Sequence, residues 1–358
     1  MKKISRIAVV LIIVAMVVAL FSGCPKKVNE KFVGVAMPTK SLQRWNQDGA
    51  YLKEKLEAAD YEVDLQYAEN KVDVQVSQLE NMITKGVRTL VIASIDSAAL
   101  KGVLKTAGEE GVTVIAYDRL LMDTPDCDYY ATFDNYKVGT IQGEYIEEAL
   151  GLAGGAGPFD MEVFGGSPDD NNAYKFNAGA MDVLQPYIDK GQLVVNSGQL
   201  DMGQIAIQAW KASGAQARMD NLLTAFYADK NIDVVLSPND SLAQGIVASL
   251  KAAGYGTDAK PYPVLTGQDC DKINVGQMLR GEQSMSIFKD TRTLADRVVT
   301  MVKEIAEGKT VTVNNTDEYD NNVKIVPSYL CDPVFADKNN YKEILIDSGY
   351  YKESDIPK

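Results

Sequence analysis

From residue 31 onward the chain alternates short, β-branched apolar runs with longer stretches of helical period, and that alternation leaves few folds open. FVGVAM precedes the amphipathic stretch Gln47 to Ala59, EVDLQYA precedes Val74 to Lys85, TLVIAS precedes Ala98 to Glu110, and VTVIAY follows. Such a strand–helix rhythm predicts a parallel, doubly wound sheet with helices on both faces. A second set begins near residue 129. YYATF leads into Val138 to Leu150, EVFGG into Ala173 to Tyr187, QLVV into a helix around Ala215 to Ala228, and DVVLS into Ser241 to Ala253. Single cores rarely grow beyond about 250 residues, so two sets predict two Rossmann-like α/β lobes. The repetition is one of architecture, with no evident sequence repeat.

Seven of the apolar runs stop abruptly at polar or aromatic side chains. FVGVAM is followed by Arg44 and Trp45, TLVIAS by Asp96, VTVIAY by Asp118 and Arg119, EVFGG by Asn171 and Asn172, DVVLS by Asn239 and Asp240, PVLTG by Asp269, and SIF by Lys289. In an open parallel sheet, ligands sit beyond the carboxyl ends of the strands, so these residues are expected to converge on one crevice. Asp accepts hydrogen bonds, Arg and Lys donate them, and Asn does both. Arg44, Asp118, Arg119, Asn171, Asn172, Asn239, Asp269 and Lys289 therefore suit a neutral, hydroxyl-rich molecule, with three bases against two acids. Trp45 and Trp210, the chain's two tryptophans, fall in different lobes and offer apolar faces to a ring.

Plainer roles compete for the same positions. Asp118 and Arg119 can form a structural ion pair, Trp210 can be a core residue, and Asn171 and Asn172 can cap the following helix. Asp96, between Ser94 and Ser97, reads as a cap, and Asp240 is ambiguous.

The first 30 residues stand apart from the fold. Lys2, Lys3 and Arg6 precede an unbroken apolar stretch from Ile7 to Phe21 and the small residues Ser22, Gly23 and Cys24, the pattern of an export signal. The apolar stretch is shorter than the roughly 20 residues of a membrane-spanning helix. Phe21-Ser22-Gly23-Cys24 resembles a bacterial lipoprotein cleavage site, which implies a signal over 1–23, lipidation of Cys24 and a tether over 24–30. An ordinary secretory signal is the alternative.

Removing that segment leaves 33 basic against 49 acidic residues, a net charge of −16. So acidic a chain lacks the basic patch of a nucleic-acid binder, and membrane contact falls to Cys24 and the Lys26-Lys27 linker. Cys127, Cys270 and Cys331 are an odd set without metal spacing, so at most one disulfide is expected, and neither a cofactor nor a metal. Asn314 to Asn322 reads as a solvated loop. Histidine is absent from the sequence, which excludes any mechanism that needs an imidazole base or ligand.

The segments VAMPTKSLQRW, SQLENMITKGV, LVIASID, VIAYDR, YYATFDN, FGGSPDDNNA, AQARMDNLL, VLSPND, GQD, IFKDTR and VPSYL occur in that order. From Lys31 onward the chain resembles the bacterial periplasmic monosaccharide-binding proteins of type I fold, closest to their xylose-binding and multiple-sugar-binding branch. The resemblance implies a first lobe over 31–132 and 290–322, a second over 133–289 and 323–358, and a hinge of three crossings. It also implies a monosaccharide held by Arg44, Trp45, Asp118, Arg119, Asn171, Asn172, Trp210, Asn239, Asp269 and Lys289. Its partners would be the membrane subunits of an ABC importer, or alternatively a membrane sensor or chemoreceptor, with the receptor a monomer. Two departures stand out: Trp210 lies in AWKASGAQAR with an altered register, and Cys270 follows GQD. Two rivals are weaker. Glycoside hydrolysis would pair Asp118 with Asp269, but Arg119 and Lys289 beside them favour ionised carboxylates, unlike a general acid. Transcription regulators of this fold begin with a basic helix-turn-helix, where this chain has an export signal.

Overall fold

The computed structural model describes residues 29–358. The export segment 1–23, Cys24 and the linker up to residue 28 lie outside the described residues. In chain order the first elements are β1 (Phe32–Met37), α1 (Gln43–Glu57), β2 (Glu62–Tyr67), α2 (Val72–Lys85), β3 (Thr89–Ile92), α3 (Lys101–Glu109), β4 (Thr113–Tyr117) and β5 (Tyr129–Phe133). Next come α4 (Asn135–Leu150), β6 (Phe159–Val163), α5 (Asn171–Asp189), β7 (Leu193–Val195), α6 (Ala212–Phe226), β8 (Val234–Leu236), α7 (Asp240–Ala252) and β9 (Val264–Leu265). The last are α8 (Lys272–Leu279), β10 (Met285–Phe288), α9 (Thr291–Ala306), β11 (Ser328–Cys331) and β12 (Val334–Asp337).

Two parallel sheets result, as expected. The first has the order β2-β1-β3-β4-β5-β11. The second runs β7-β6-β8-β9, and a parallel bridge from Gln268 to Ile287 continues it into β10, which pairs antiparallel with β12. In each sheet the chain starts inside, moves one strand outward and then reverses, which creates a switch point with a crevice at the strand ends. The continuous apolar run of β1 is explained by its position: all six residues are buried, because helices cover both faces of the sheet.

Leu79, Met82, Leu90 and Leu104 fill one side of the first sheet. Val35, Leu52, Leu56, Leu294 and Val298 fill the other. Full burial of a leucine contributes roughly 1.5–3 kcal/mol, so these layers fix each strand's register. In the second lobe α4 and α5 pack closely because Gly139 and Gly179 face each other's backbones, and a Cβ at either would collide with the partner helix. Cys127, Cys270 and Cys331 are buried free thiols.

The chain passes between sheets after β5, after β10 and between β11 and β12. The sequence places the last crossing at 322–323, yet Val326 is buried in the first lobe's core and β11 still pairs with β5. Strand membership moves that crossing to residues 332 and 333. The segment before it is also less solvated than its composition suggests. Tyr319 packs edge-on against Tyr130 at 5.1 Å, and buried Asn321 donates to the carbonyls of Leu121 and Thr124.

Candidate functional site

The ends of β1, β4, β9 and β10 deliver charged side chains into the space between the lobes. Helix α1 starts at Gln43, four residues before the expected stretch, so Arg44 and Trp45 occupy its first turn. No side chain caps this helix at Leu42, which is why the sequence carries no start signal there. Asp118 follows β4 with a left-handed backbone, φ 59°. That costly conformation is held because its carbonyl accepts from Tyr130 Oη at 2.7 Å, Thr132 Oγ1 at 2.9 Å and Asn172 Nδ2 at 2.8 Å. Asp269 and Cys270 are also left-handed, at φ 96° and 48°, with Asp269 N donating to Ile287 O and Cys270 N to Ser286 Oγ.

Four charges meet at the centre. Arg44 Nη1 is 2.9 Å from Asp118 Oδ1 and 3.5 Å from Asp269 Oδ1, while Lys289 Nζ is 3.3 Å from Asp269 Oδ1 and 3.7 Å from Asp118 Oδ1. Cation and carboxylate alternate around this ring, and it spans both lobes. Proximity does not amount to good hydrogen bonding. Asp118 Oδ1, Asp269 Oδ1, Gln268 Oε1 and Trp45 Nε1 are buried and, beyond the ion pairs just given, make no hydrogen bond of acceptable geometry, while Arg44 Nη2 is held from behind by Asp48 Oδ2 at 2.9 Å. Such unmet groups cost about 1–3 kcal/mol each, so the ring is attracted to any partner that supplies aligned donors and acceptors.

Burial alone would raise the Asp118 carboxyl, but Arg44, Lys289 and Arg119 outweigh it and hold it below the usual carboxylate range. Behind Arg44 stands Asp48, which accepts from Arg44 Nε at 3.0 Å and from Tyr117 Oη. Burial pushes Asp48 up to about 6 against the pull of Arg44.

The second lobe's rim uses its residues differently. Asp170 caps α5 through Oδ1, which accepts from Asn172 N at 3.0 Å. Its Oδ2 is 2.8 Å from Arg119 Nε and accepts from Trp210 Nε1 at 3.1 Å, so one carboxylate ties the first lobe to the second. Arg119 also donates to the Ser94 carbonyl. The plainer alternative of an Asp118–Arg119 ion pair is not formed; their partners are Arg44 and Asp170. Asn172 Oδ1 accepts from Tyr130 Oη and Asn135 Nδ2, and Asn239 Oδ1 caps α7 through Leu242 N. Asn171 does not line the cleft. It is the first residue of α5, and one helical step of about 100° separates its direction from that of Asn172.

The aromatics complete the enclosure. Trp45 is 2% exposed, with the guanidinium carbons of Arg44 and Arg119 at 4.5 and 5.1 Å from its ring centre. Trp210 sits on a short kinked turn ahead of α6, itself left-handed at φ 55°, where its ring lies against Gly166 and edge-on to Phe176 at 6.3 Å. The altered register noted in the sequence is this turn.

Nine of the ten expected residues line one pocket, joined by Leu42, Asp170, Phe176 and Gln268. The sequence offered signals for two of these: Asp170 stands in the SPDDNN segment and Gln268 in GQD. Phe176 and Leu42, apolar residues near helix starts, carry none. With the charged ring closed on itself the pocket offers about 30 Å³, room for a water or two and far less than a small-molecule site. Asp96 lies apart, its Oδ1 accepting from Ala98 N and Ala99 N in a turn. Asp240 is likewise structural, accepting from Gln283, Ser286 and Asp271 N. Among the described residues no group of His, Cys, Asp and Glu is arranged to hold a metal, and no helix is long and apolar enough to cross a membrane.

A family profile described as the periplasmic binding protein domain matches residues 33–310. The chain belongs to the periplasmic binding protein family. The multiple sugar-binding periplasmic receptor ChvE of Rhizobium radiobacter is 51% identical over 96% of this chain and 97% of that protein. The D-xylose-binding periplasmic protein of Escherichia coli is 34% identical over 94% and 96%. Among solved structures, an ABC transporter solute-binding protein from Clostridium phytofermentans with bound β-D-glucose is similar at TM-score 0.88 and 56% identity, covering 91% of this chain and 100% of that one. Membership in this family explains the two sheets with a shared crevice. The fold is the type I arrangement that the resemblance implied.

Proposed function

We propose that this chain is an extracytoplasmic receptor that holds a neutral monosaccharide, an aldopyranose, between its lobes and delivers it to the membrane subunits of an ABC importer. The observation that carries the reading is the buried ring of Arg44, Asp118, Asp269 and Lys289, with acceptor and donor capacity unspent. A pyranose hydroxyl donates once and accepts more than once, so a hydroxyl between Asp118 and Arg44 or between Asp269 and Lys289 satisfies both neighbours. Arg44, Arg119 and Lys289 are balanced by Asp118, Asp170 and Asp269, which favours an uncharged ligand. The names of the multiple-sugar and xylose receptors, and the glucose bound by the Clostridium protein, agree with this class.

Entry of a ring requires the four charged side chains to part, because the closed pocket holds only about 30 Å³. The three crossing segments act as the hinge, and the ligand shifts the lobes toward closure to the extent that it contacts both. An importer then recognises the two lobe surfaces at their closed separation. No chemistry follows capture: Asp118, held ionised, is unsuited to the general-acid role of a glycosidase. Cys24 carries the lipid that tethers the receptor at the outer face of the membrane, and Cys24→Ser should release it into the soluble extracytoplasmic fraction.

Calorimetric titration of protein unfolded and refolded to strip carried-over sugar tests the reading, with xylose, glucose, galactose and arabinose as ligands. At least one should bind, and Asp118→Ala and Asp269→Ala should each weaken it tenfold or more, about 1.4 kcal/mol. Unchanged curves in both variants would remove the ring from the site.

A further inference from the structure

Beside the charged pocket lies a second cavity of about 420 Å³ at the mouth of the cleft. The two spaces share Leu42 and Trp210 as a common wall. Three other chain segments pass from one to the other within two residues: Arg44 lines the inner space and Gln43 the outer, Asn239 the inner and Ser241 the outer, Asp269 the inner and Asp271 the outer. The outer cavity is therefore a continuation of the same strand ends. It is within the size range of small-molecule sites, whereas the inner pocket is far below it.

Its lining has saccharide character. Ser213, Gln244, Asn70 and Asp271 supply donors and acceptors, and the sides of Trp210 and Ile273 supply apolar surface. Asp271 Oδ1 is buried without a hydrogen bond, on a residue that lines this space. Burial, with Asp269 nearby, pushes the Asp271 carboxyl upward. The exposed side of Ile273, 52% accessible, forms part of the rim.

We infer that the cleft has an outer subsite for a second sugar unit, glycosidically linked to the one held by the charged ring, so that the receptor's ligands include disaccharides. This rests on the monosaccharide reading of the inner pocket. One unit occupies the inner ring, and the glycosidic oxygen passes between Leu42 and Trp210. The second unit then meets the hydroxyl, amide and carboxyl groups of both lobes.

The test is calorimetric titration of the refolded, full mature chain with glucose, xylose, cellobiose, maltose and gentiobiose, repeated on Ser213→Trp and Ile273→Trp. These residues face only the outer cavity, from α6 and α8 respectively, and the larger side chains fill it. At least one disaccharide should bind the unaltered protein. In one or both variants its affinity should fall tenfold or more, while the monosaccharide constant stays within twofold. Monosaccharide binding with no disaccharide binding overturns the subsite and leaves the inner reading intact, as does disaccharide binding that neither variant weakens. Failure of every monosaccharide overturns the inner reading itself. Melting temperatures of the variants within a few degrees of the parent identify losses that arise from the cavity and not from misfolding.

Discussion

At the charged centre each of Arg44 and Lys289 lies within 2.9 to 3.7 Å of both Asp118 and Asp269, yet Asp118 Oδ1 and Asp269 Oδ1 make no aligned hydrogen bond. At the second lobe's rim, Asp170, Asn172 and Asn239 have the same chemistry but their oxygens are occupied by helix N-termini and neighbouring hydroxyl and amide groups. The difference follows from location. Asp118 and Asp269 follow strands with few backbone donors nearby, and the cations Arg44 and Lys289 have no acceptor to be claimed, whereas Asp170 and Asn239 stand at helix N-caps, where free N–H groups claim a side-chain oxygen. Side chains at the centre are thus available to a ligand. Those at the rim mainly shape the pocket, and Asp170 also joins the lobes.

The sharpest way to break this distinction is Arg44→Ala. Its loss leaves Asp48 buried without its cation and Asp118 with Lys289 alone, and removing one partner from a buried ion pair costs about 3–5 kcal/mol. Chemical denaturation should show a loss of that size together with loss of sugar binding; a stable variant that still binds would mean that the centre is dispensable.

Asp170→Ala comes next. It removes the cap of α5, about 1 kcal/mol, and strips Arg119 of its carboxylate, so stability should fall by about 2 kcal/mol. Sugar affinity should fall less than in Asp118→Ala, because Asp170 acts through Arg119 and Trp210. An equal or greater loss of affinity would make the rim as direct a contact as the centre.

A smaller effect appears with pH. Asp48 is raised by burial to about 6 in the folded protein, so its contribution to stability is present below its unfolded value near 3.8 and is lost as pH rises through about 6. Asp118 is lowered and works oppositely: its contribution is present above about 3.8 and disappears as pH falls through its folded value. The melting temperature should accordingly be higher at pH 5 than at pH 7.5, with Asp271, also raised by burial, acting in the same direction, and Asp48→Asn should reduce that slope without abolishing it. A steeper slope in the variant would assign the pH dependence elsewhere.

The smallest effect is expected of Asn171→Ala. Its side chain lies outside the pocket, so sugar affinity should stay within twofold and stability within about 0.5 kcal/mol. A tenfold loss of affinity would return Asn171 to the site.

Much of this was readable in the chain. Parallel strands buried on two faces announce themselves as apolar runs, and polar residues at or shortly beyond their carboxyl ends face the crevice by topology, which makes Asp118, Asp269 and Lys289 legible; Arg44, seven residues past β1 and inside α1, is legible mainly through the family resemblance. What escaped depends on rotation and on partners distant in sequence. Asn171 and Asn172 are equivalent as letters, and only the phase of α5 separates them. Asp118 and Arg119 look like a pair because they are adjacent, but adjacent side chains at this turn diverge to partners on α1 and α5. Asp170, an acid before a helix, carries a cap signal of its own, which the two asparagines after it obscure. The final crossing was misplaced because β11 is short and polar at its start, and only its pairing with β5 reveals it.

The most direct test is a crystal structure of refolded protein grown with D-glucose or D-xylose. One sugar should lie between the lobes, with hydroxyl oxygens within about 3.2 Å of both Asp118 and Asp269 and the direct contacts among the four charges replaced by contacts through those hydroxyls. A sugar touching one lobe alone, or bound away from these two carboxylates while their ion pairs stay closed, would contradict it.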